Sequence, residues 1–291
     1  MSRTLVIGAP GQLGQDVVAA FTAAGDTVIG LGHTDLDVTD PAATADAIAA
    51  ARPDVIVNTA AFHHLDRCEA DPATAFAVNA TGAWHVARAA AARGAQLVHV
   101  STDYVFDGTK GAPYTEDDLP APLNVYGVSK LAGEHLVLAA HPAALVIRVA
   151  ALYGPHPCRA KGGRNFPDLM IHLAHERGEL KVVTDEVVSP TYTPDVARQI
   201  VTLVQAGVSG VVHAAGAGET SWYGLAVETL RLAGLEQVPV RPETAATMVR
   251  PVRRPARSPL ARVRLANLGL DRMRPWQDAL AEHVQGTQHA T

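Results

Sequence analysis

Short apolar runs alternate with longer helical patterns over residues 1–150, and this alternation predicts the fold. Helical patterns of apolar and polar positions cover Gln12–Ala24, Pro41–Ala51, Pro72–Arg93 and Tyr126–Ala139. The runs between them predict strands at Thr4–Ile7, Thr27–Leu31, Val55–Asn58, Leu97–Val100 and Ala144–Arg148. Strands that are apolar throughout and alternate with helices indicate a parallel sheet buried on both faces. The expected fold class is therefore α/β, with a doubly wound parallel sheet.

The pattern becomes less regular after Arg148. Residues 153–165 are rich in Gly, Pro and Arg, and they predict a loop over a site. Further elements are predicted at Phe166–Arg177, Pro194–Gln205, Ser221–Leu232 and Trp276–Val284 (helices) and near Lys181–Val183 and Val211–Ala214 (strands). Residues 241–262 predict an irregular surface segment. A frayed tail is expected from about residue 285.

Composition narrows the classes of protein. A hydrophobic content of 48% with 18% charged residues is typical of a globular chain, and a net charge of −5 argues against nucleic-acid binding. Two cysteines, Cys68 and Cys158, form no disulfide framework, which favours a reducing compartment. We find no signal peptide and no apolar run of about 18 residues, so we expect a cytoplasmic protein without a membrane segment. The 13 histidines show no metal-ligand spacing, and no metal is predicted.

Three glycines mark the junction of the first strand and the first helix. Gly8, Gly11 and Gly14 enclose Gln12 and Leu13 in a G-x-x-G-x-x-G spacing. Glycines here allow a tight turn and a close approach of backbone to a pyrophosphate, which the helix N-terminus stabilises. These five residues are the predicted pyrophosphate contacts of a Rossmann-like NAD(P)-binding domain. We expect this domain to span residues 1–150, with part of 180–215 returning to it, and 151–291 to form a smaller C-terminal α/β substrate-binding lobe.

The end of the second strand bears on the choice of cofactor. An acidic residue there would hold the ribose 2′-hydroxyl of NAD, but the strand ends Leu31-Gly32-His33-Thr34. This favours NADPH with His33 as a contact, while NADH stays an alternative. Asp37 and Val38 are expected beside the adenine. Asp37 as a helix-capping residue is the competing interpretation.

Small residues follow the third strand. Ala60 and Ala61 leave room for a ligand at the point where the strand order of the sheet reverses, and we assign them to the cofactor site. Tight packing explains small residues equally well.

Tyr126 and Lys130 carry the candidate chemistry. Their spacing of four puts both side chains on one face of a helix. An ammonium beside a phenol favours the phenolate, so the tyrosine would exchange a proton with a substrate oxygen nearer to neutral pH. With six tyrosines and four lysines in the chain, about 0.08 such pairs are expected by chance.

The run Ser101–Gly108 ends another predicted strand. A hydroxyl at such a position, here that of Thr102, can bind a substrate carbonyl and share the developing charge with the tyrosine. A Ser/Thr turn at the strand end is the alternative.

Together the glycine turn, the run Ser101–Gly108 and the Tyr126–Lys130 spacing resemble the extended short-chain dehydrogenase/reductases. Within them, the chain is similar to the dTDP-4-dehydrorhamnose reductase family, whose pattern the stretch Ser101–Glu134 follows almost throughout. Further matches are Asn165-Phe166, Ser189-Pro190-Thr191 and the run ending Arg254-Pro255-Ala256-Arg257-Ser258. The resemblance covers essentially the whole chain.

The resemblance implies a hydride transfer from NADPH to the 4-keto carbon of a nucleotide-linked deoxysugar. Tyr126 would protonate the resulting alkoxide, and Lys130 would hold the nicotinamide ribose and lower the pKa of the tyrosine. Thr102 would orient the keto oxygen. These three are the expected catalytic residues, and Tyr126 and Lys130 also belong to the cofactor site.

Substrate contacts follow from the same resemblance. Asp103 and Tyr104 join Thr102 as candidates, and Asn165 and Arg257 are candidates for contacting the sugar-nucleotide diphosphate. One position departs from the family pattern. Where the family commonly carries a tryptophan that packs on the sugar, this chain has Ala151, so another 4-keto sugar or a wider pocket is an alternative.

Other functions stay open at the level of sequence. Dehydratases of this superfamily tend to show Thr-Asp-Glu where this chain has Thr102-Asp103-Tyr104, which argues against dehydration. Epimerases use the same tyrosine and lysine. The regulatory subunit of methionine adenosyltransferase resembles the same family, so a non-catalytic binding protein is a further alternative.

Some polar residues have weaker assignments. His63 and His64 line the pocket or form a plain loop pair, and Asp16 and Glu134 join an interface or bind a cation. By analogy with the superfamily, the helix Tyr126–Ala139 is expected to pack against a second copy in a homodimer.

Overall fold

The computed structural model describes residues 2–158, 162–248 and 251–288. Its strands, in chain order, are β1 (Arg3–Ile7), β2 (Thr27–Leu31), β3 (Val55–Asn58), β4 (Gln96–Thr102), β5 (Leu145–Val149), β6 (Leu152–Tyr153), β7 (Leu180–Val183), β8 (Val187–Val188), β9 (Thr191–Tyr192), β10 (Gly210–His213), β11 (Thr220–Ser221) and β12 (Val240–Glu243). Its helices are α1 (Gln12–Ala23), α2 (Pro41–Ala51), α3 (Leu65–Ala70), α4 (Pro72–Phe76), α5 (Ala83–Arg93), α6 (Val125–Ala140), α7 (Phe166–Arg177), α8 (Thr193–Gln205), α9 (Trp222–Leu232), α10 (Val263–Asn267) and α11 (Trp276–Gln288).

A six-stranded parallel sheet is the centre of the fold. Its strand order is β10-β5-β4-β3-β1-β2, and every neighbouring pair is parallel. One face is covered by α1 and α8, and the other by α2, α5 and α6. Since both faces are buried, the strands carry apolar residues throughout, and the predicted doubly wound α/β sheet is confirmed.

Local sequence signals fix the helices that matter for the site. Asn124 precedes α6, and its side-chain oxygen accepts a hydrogen bond from the backbone N–H of Gly127 at 2.9 Å. This cap starts α6 just before Tyr126. Lys130 follows one turn later.

The second group of elements packs beside the sheet. Helices α7, α9 and α11 surround two apolar clusters, to which Tyr153, Trp276 and Leu280 contribute, and β12 pairs with β7 in parallel. The predicted frayed tail from residue 285 is wrong up to Gln288, because α11 continues to that residue. A hydrogen bond of 2.8 Å between His283 and Asp168 holds the helix end against α7. Residues 289–291 lie outside the described residues.

Three further expectations need correction. The predicted helix Pro72–Arg93 is divided by a π-helical segment, Ala77–Gly82. The short helix α3, which precedes it, was not predicted.

Residues 241–262 begin with β12 and are irregular over much of their length. The prediction of a surface position is correct for exposed residues such as Arg241 and Arg253 and wrong for Val252, Ser258 and Leu260, which are buried. Residues 159–161 of the predicted loop and residues 249–250 of this segment lie outside the described residues.

In the described part of the chain, no helix has the length and apolar character to cross a membrane.

Candidate active site

The glycine turn lies where β1 passes into α1. Gly8 has a φ of +84°, in the left-handed region that favours glycine. A β-carbon on Gly14 would lie 2.2 Å from the carbonyl oxygen of Gly8, and the N–H of Gly11 donates to that same oxygen at 2.9 Å. Backbone N–H groups in the first turn of a helix have no partner within it, so Gln12 and Leu13 present donors at this turn. The turn therefore has the shape and the donors of a pyrophosphate cradle.

The aspartates after β2 each have partners in the chain. Asp35 accepts from the N–H of Gly32 at 2.7 Å, and Asp37 accepts from the backbone N–H and the hydroxyl of Thr39 at 2.9 and 2.8 Å. The bonds from Thr39 lower the pKa of Asp37. Asp40 caps α2, so the alternative interpretation of Asp37 as the cap is wrong.

The remaining predicted adenine contacts differ in exposure. His33 is exposed, whereas Val38 is buried and packs against Gly82, whose β-carbon would lie 2.8 Å from a methyl group of Val38. The carbonyl oxygen of Val38 lies 3.0 Å from Nδ1 of His85. Their contact with a cofactor stays a prediction.

The end of β3 lies against the glycine turn. A β-carbon on Gly8 would lie 2.9 Å from the backbone nitrogen of Ala60, and the N–H of Ala60 donates to Oδ1 of Asn58 at 3.1 Å. Ala60 and Ala61 are half-buried. This brings the predicted cofactor residues of two neighbouring strands to one edge of the sheet.

Tyr126, in the first turn of α6, lies beside Thr102 at the end of β4. Burial raises the pKa of Tyr126, a hydrogen bond with the Thr102 hydroxyl opposes the rise, and the charge of Asp103 adds to it. The ring of Tyr104 meets that of Tyr126 edge to face, with 5.8 Å between the centroids. The expectation that the pKa of Tyr126 is lowered is wrong for the free protein, because burial is the dominant cause.

Lys130 points toward β4. Its side chain is 2% exposed, its Nζ donates to the carbonyl oxygen of Val100 at 2.7 Å, and Nε2 of His99 lies 3.5 Å away. Burial lowers the pKa of Lys130 to about 8, while the charge of Glu134 raises it. The ammonium therefore has a fixed place one helical turn from Tyr126.

Asp103 joins the catalytic strand end to the C-terminal segment. The hydroxyl of Thr102 donates to one carboxylate oxygen at 3.1 Å, and the hydroxyl of Ser258 donates to the other at 2.6 Å. The N–H of Tyr104 donates to the Thr102 oxygen at 3.2 Å. The Thr102 hydroxyl therefore lies between the Asp103 carboxylate and the Tyr126 phenol in the free protein.

The π-helical segment holds α6 in position. A β-carbon on Gly133 would lie 2.2 Å from the carbonyl oxygen of Asn79, so the two backbones touch. The Asn79 amide donates to the hydroxyl of Ser129 at 3.0 Å, and that hydroxyl donates to the carbonyl oxygen of Tyr126 at 2.8 Å. Both contacts fix the position of α6 relative to β4, and with it the positions of Tyr126 and Lys130.

Glu134 and Asp16 are not surface residues. Glu134 forms a buried ion pair with Arg148, with bonds of 2.9 and 2.7 Å, and accepts from the hydroxyl of Ser101 at 2.5 Å. Its expected role in an interface or a cation site is wrong, because its carboxylate is buried and paired. Asp16 is also buried, with His156 at 3.5 Å, and its pKa is raised by burial. Over residues 2–158, 162–248 and 251–288, no group of three or more His, Cys, Asp or Glu side chains is placed to hold a metal.

Two predicted diphosphate contacts have partners within the fold. Asn165 caps α7 by accepting from the N–H of Asp168 at 3.1 Å, and its amide donates to the carbonyl oxygen of Gly154 at 2.9 Å. Arg257 forms an ion pair with Glu219, while its buried Nε has no hydrogen-bond partner among the residues described. Their contact with substrate stays a prediction.

Ala151 adopts an uncommon backbone conformation. Its φ is +42°, and it lies between β5 and β6, two residues after the end of the strand that pairs with β4. Non-glycine residues in this region are strained by about 1 kcal/mol or more and cluster at functional sites. His64 lies across this edge before α3, and within the described residues its buried Nδ1 has no hydrogen-bond partner.

Several site residues were missed at the level of sequence. Ser258 contacts Asp103, Asn79 contacts Ser129 next to Lys130, and His99 contacts Lys130 itself, across 155, 50 and 31 residues of sequence. A polar residue within an apolar strand was the available signal for His99. Ser258 ends a run that matches the family pattern, but no role was assigned to it, and nothing local marked Asn79.

The doubly wound sheet, the glycine turn and the Thr102, Tyr126 and Lys130 set define the class of the extended short-chain dehydrogenase/reductases. The family model for the RmlD substrate binding domain matches residues 2–289. A dTDP-4-dehydrorhamnose reductase of Streptomyces griseus is 42% identical over 286 residues, 96% of this chain and 92% of the relative. The chain therefore belongs to the dTDP-4-dehydrorhamnose reductase family.

Two further relatives bear on cofactor and substrate. The crystal structure of dTDP-4-dehydrorhamnose reductase from Bacillus anthracis in complex with NADP has a TM-score of 0.92 and 32% identity, covering 99% of this chain and 100% of that chain. A dTDP-4-keto-6-deoxy-D-glucose reductase of Streptomyces niveus is 40% identical over 281 residues, covering 96% of both chains. Relatives of similar identity thus act on more than one 4-keto sugar.

Proposed function

We propose that the protein is an NADPH-dependent reductase that converts dTDP-4-dehydro-L-rhamnose to dTDP-L-rhamnose. The observation that carries the proposal is the placement of Tyr126 beside Thr102 at the edge of the sheet that also holds the glycine turn. Family membership supports the same reaction. A homodimer, expected by analogy, stays a prediction that sedimentation would check.

The cradle at the glycine turn fits a dinucleotide. Side chains at Gly8 and Gly14 would fill the space next to the first turn of α1, and their absence leaves the backbone donors of Gln12 and Leu13 accessible. The proposed cofactor site is completed by His33, Asp37, Val38, Ala60 and Ala61. NADPH supplies a hydride when bound, and the residues below supply the geometry and the proton.

Tyr126 donates the proton that completes the reduction. A phenol keeps its proton at neutral pH, as a proton donor must, and in the free protein burial raises the pKa of Tyr126 further. The proton passes from the phenol oxygen to the substrate oxygen as negative charge develops there.

Thr102 orients the substrate oxygen. Its hydroxyl, which donates to Asp103 in the free protein, rotates to donate to the keto group and shares the developing charge with Tyr126. Asp103 and Tyr104 fix Thr102 from two sides. Asp103 and Tyr104 therefore act on the substrate through Thr102.

Lys130 binds the nicotinamide ribose and holds it beside Tyr126. Its buried position against β4 gives the ammonium a fixed starting point for that contact. Arg257 and Asn165 are the proposed contacts on the diphosphate side. Arg257 offers its buried Nε, which has no hydrogen-bond partner in the part of the chain that the structure describes, from the same segment as Ser258.

Ala151 bears on the choice of sugar. A methyl group at the strained turn after β5 leaves more space than a large side chain would. We expect dTDP-4-dehydro-L-rhamnose to be the preferred substrate, with other dTDP-4-keto-6-deoxysugars reduced more slowly.

The test is to mix the protein with NADPH and each 4-keto sugar nucleotide and to follow the nicotinamide absorbance. Oxidation of NADPH with dTDP-4-dehydro-L-rhamnose as the best substrate supports the proposal. Tight NADPH binding without oxidation by any 4-keto sugar would instead indicate a non-catalytic binding protein.

A further inference from the structure

A buried polar pair lies behind Lys130 and takes no part in the reaction described so far. His99, within β4, is fully buried, and Asn58, at the end of β3, is 2% exposed. Nδ1 of His99 lies 3.4 Å from Nδ2 of Asn58, and Nε2 of His99 lies 3.5 Å from Nζ of Lys130. The imidazole thus lies between an amide and the candidate catalytic lysine.

The neighbouring backbone fixes the orientation of the Asn58 amide. The N–H of Ala60 donates to Oδ1 of Asn58 at 3.1 Å, so the amide oxygen faces Ala60 and the amide nitrogen faces His99. An amide nitrogen is a donor, and Nδ1 of His99 must therefore accept. Burial lowers the pKa of His99 well below its ordinary value, so the ring is neutral and carries its single proton on Nε2.

That proton faces Lys130. A charged ammonium has three N–H donors and no lone pair, whereas a neutral amine has a lone pair that can accept from Nε2. The second contact of Nζ, to the carbonyl oxygen of Val100, is satisfied by either form. The donor on His99 consequently disfavours the charged form of Lys130.

The other ionisable groups around Lys130 either favour its charged form or do not change its charge. Glu134, one turn further along α6, favours the ammonium, but its carboxylate is paired with Arg148 of β5. Tyr126, one turn earlier on α6, keeps its proton. From β4, the titratable group that faces Lys130 is His99.

We propose that His99, oriented by Asn58, is a positioning residue that holds Lys130 against β4 and disfavours its charged form. The lowered pKa of Lys130, of which burial is the first cause, agrees with this arrangement. The use of Lys130 in catalysis rests on the proposed function, while its charge in the free protein does not. The two ideas can therefore fail separately.

The chain offers a direct measurement, since it contains four lysines: Lys110, Lys130, Lys161 and Lys181. Protein labelled with 13C at lysine Cε is titrated by NMR without cofactor or substrate, and the Lys130 signal is assigned as the one lost in Lys130→Met. In His99→Phe, the midpoint of the Lys130 titration should rise by about one pH unit, because the opposing donor is gone.

A second variant keeps the histidine and reverses its hydrogen bond. In Asn58→Asp, the carboxylate can accept from both Ala60 and Nδ1 of His99, which moves the imidazole proton to Nδ1 and turns a lone pair toward Lys130. The midpoint should again rise. His135→Phe, on the exposed side of α6, is the matched control and should leave the Lys130 midpoint unchanged.

The outcomes separate the possibilities. A rise in both folded variants, with folding checked by circular dichroism, supports the proposal. A midpoint that stays in place or falls in Asn58→Asp overturns it, even where His99→Phe does not fold. In active enzyme, the fall in kcat/KM at alkaline pH should move to higher pH in His99→Phe, which introduces no charge, a shift that a purely structural role of His99 would not produce.

Discussion

Burial, more than any neighbouring charge, determines the pKa of Tyr126 in the free protein. Burial raises its pKa, and the carboxylate of Asp103 adds to the rise. The spacing of four in the sequence predicted that the tyrosine and the lysine lie on one helix, and both are in α6. It did not predict the direction of the pKa change, since the orientation of Lys130 toward Val100 depends on how α6 packs on β4.

Replacing the phenol tests this role. Tyr126→Phe should lower kcat by about 10²- to 10⁴-fold, the usual contribution of a positioned proton donor. The affinity for NADPH, measured by fluorescence titration, should stay nearly unchanged. Tyr223→Phe, on α9, is the control and should keep full activity. Near-normal turnover in Tyr126→Phe would contradict the mechanism.

A second prediction for single residues concerns the hydrogen bond between Ser258 and Asp103. Ser258→Ala removes the bond to one carboxylate oxygen and frees Asp103 to move, so Thr102 should be less well oriented. We expect kcat to fall by about tenfold, with folding and NADPH affinity retained. Steady-state kinetics beside Ser209→Ala, in the loop before β10, would measure it. A kcat equal to that of the control would show that the contact does not orient Thr102.

At the scale of elements, the close approach of α6 to the π-helical segment sets the site. Hydrophobic periodicity predicted α6 to within one residue at each end, because its burial pattern is local. The π-helical segment and the six-residue α3 were not predicted. The first differs from an α-helix by a single shifted hydrogen-bond register, and the second is too short for periodicity to mark.

Two helical glycines provide a matched test of that packing. Gly133→Ala would place a β-carbon 2.2 Å from the Asn79 carbonyl oxygen, and we expect destabilisation of about 1–3 kcal/mol. Gly286→Ala, in α11, meets nothing within 4 Å and should be neutral or stabilising by roughly 0.5–1 kcal/mol. Urea unfolding of both variants measures the difference. Equal stability of the two would mean that α6 and the segment do not touch.

At the scale of the whole molecule, two buried histidines predict a dependence of stability on pH. Burial lowers the pKa of His213 to about 3, and it lowers that of His99 in the same direction. Between that value and the ordinary histidine pKa of about 6.5, the unfolded chain binds protons that the folded chain does not. Stability should therefore fall as the pH falls below about 6.5.

Calorimetry can check this prediction. The Tm should be lower at about pH 5 than at about pH 7, and His213→Gln should flatten that difference while lowering the Tm at both pH values. His135→Gln, at an exposed position, is the control. A Tm that does not change over this range in the native sequence would contradict the predicted linkage.

How much of the structure the sequence predicts depends on how far apart the contacting residues lie along the chain. The sheet, its buried faces and the edge that holds Gly8, Thr102 and Tyr126 follow from local patterns and from the rule that ligands bind where parallel strands end. Contacts that join distant segments, such as Ser258 with Asp103, depend on the assembled fold. They explain why Glu134, and within residues 241–262 Ser258 and Leu260, are buried where the sequence indicated surface positions.

The central claim is that the protein transfers a hydride from NADPH to the 4-keto carbon of a dTDP-sugar, with Tyr126 as proton donor. The most direct measurement uses NADPH deuterated at the nicotinamide C4 and dTDP-4-dehydro-L-rhamnose, with the product examined by mass spectrometry and NMR. Deuterium at C4 of dTDP-L-rhamnose, formed with stoichiometric oxidation of the cofactor and nearly lost in Tyr126→Phe, is the predicted result. A product without deuterium, or no product from protein that binds NADPH, would contradict the claim.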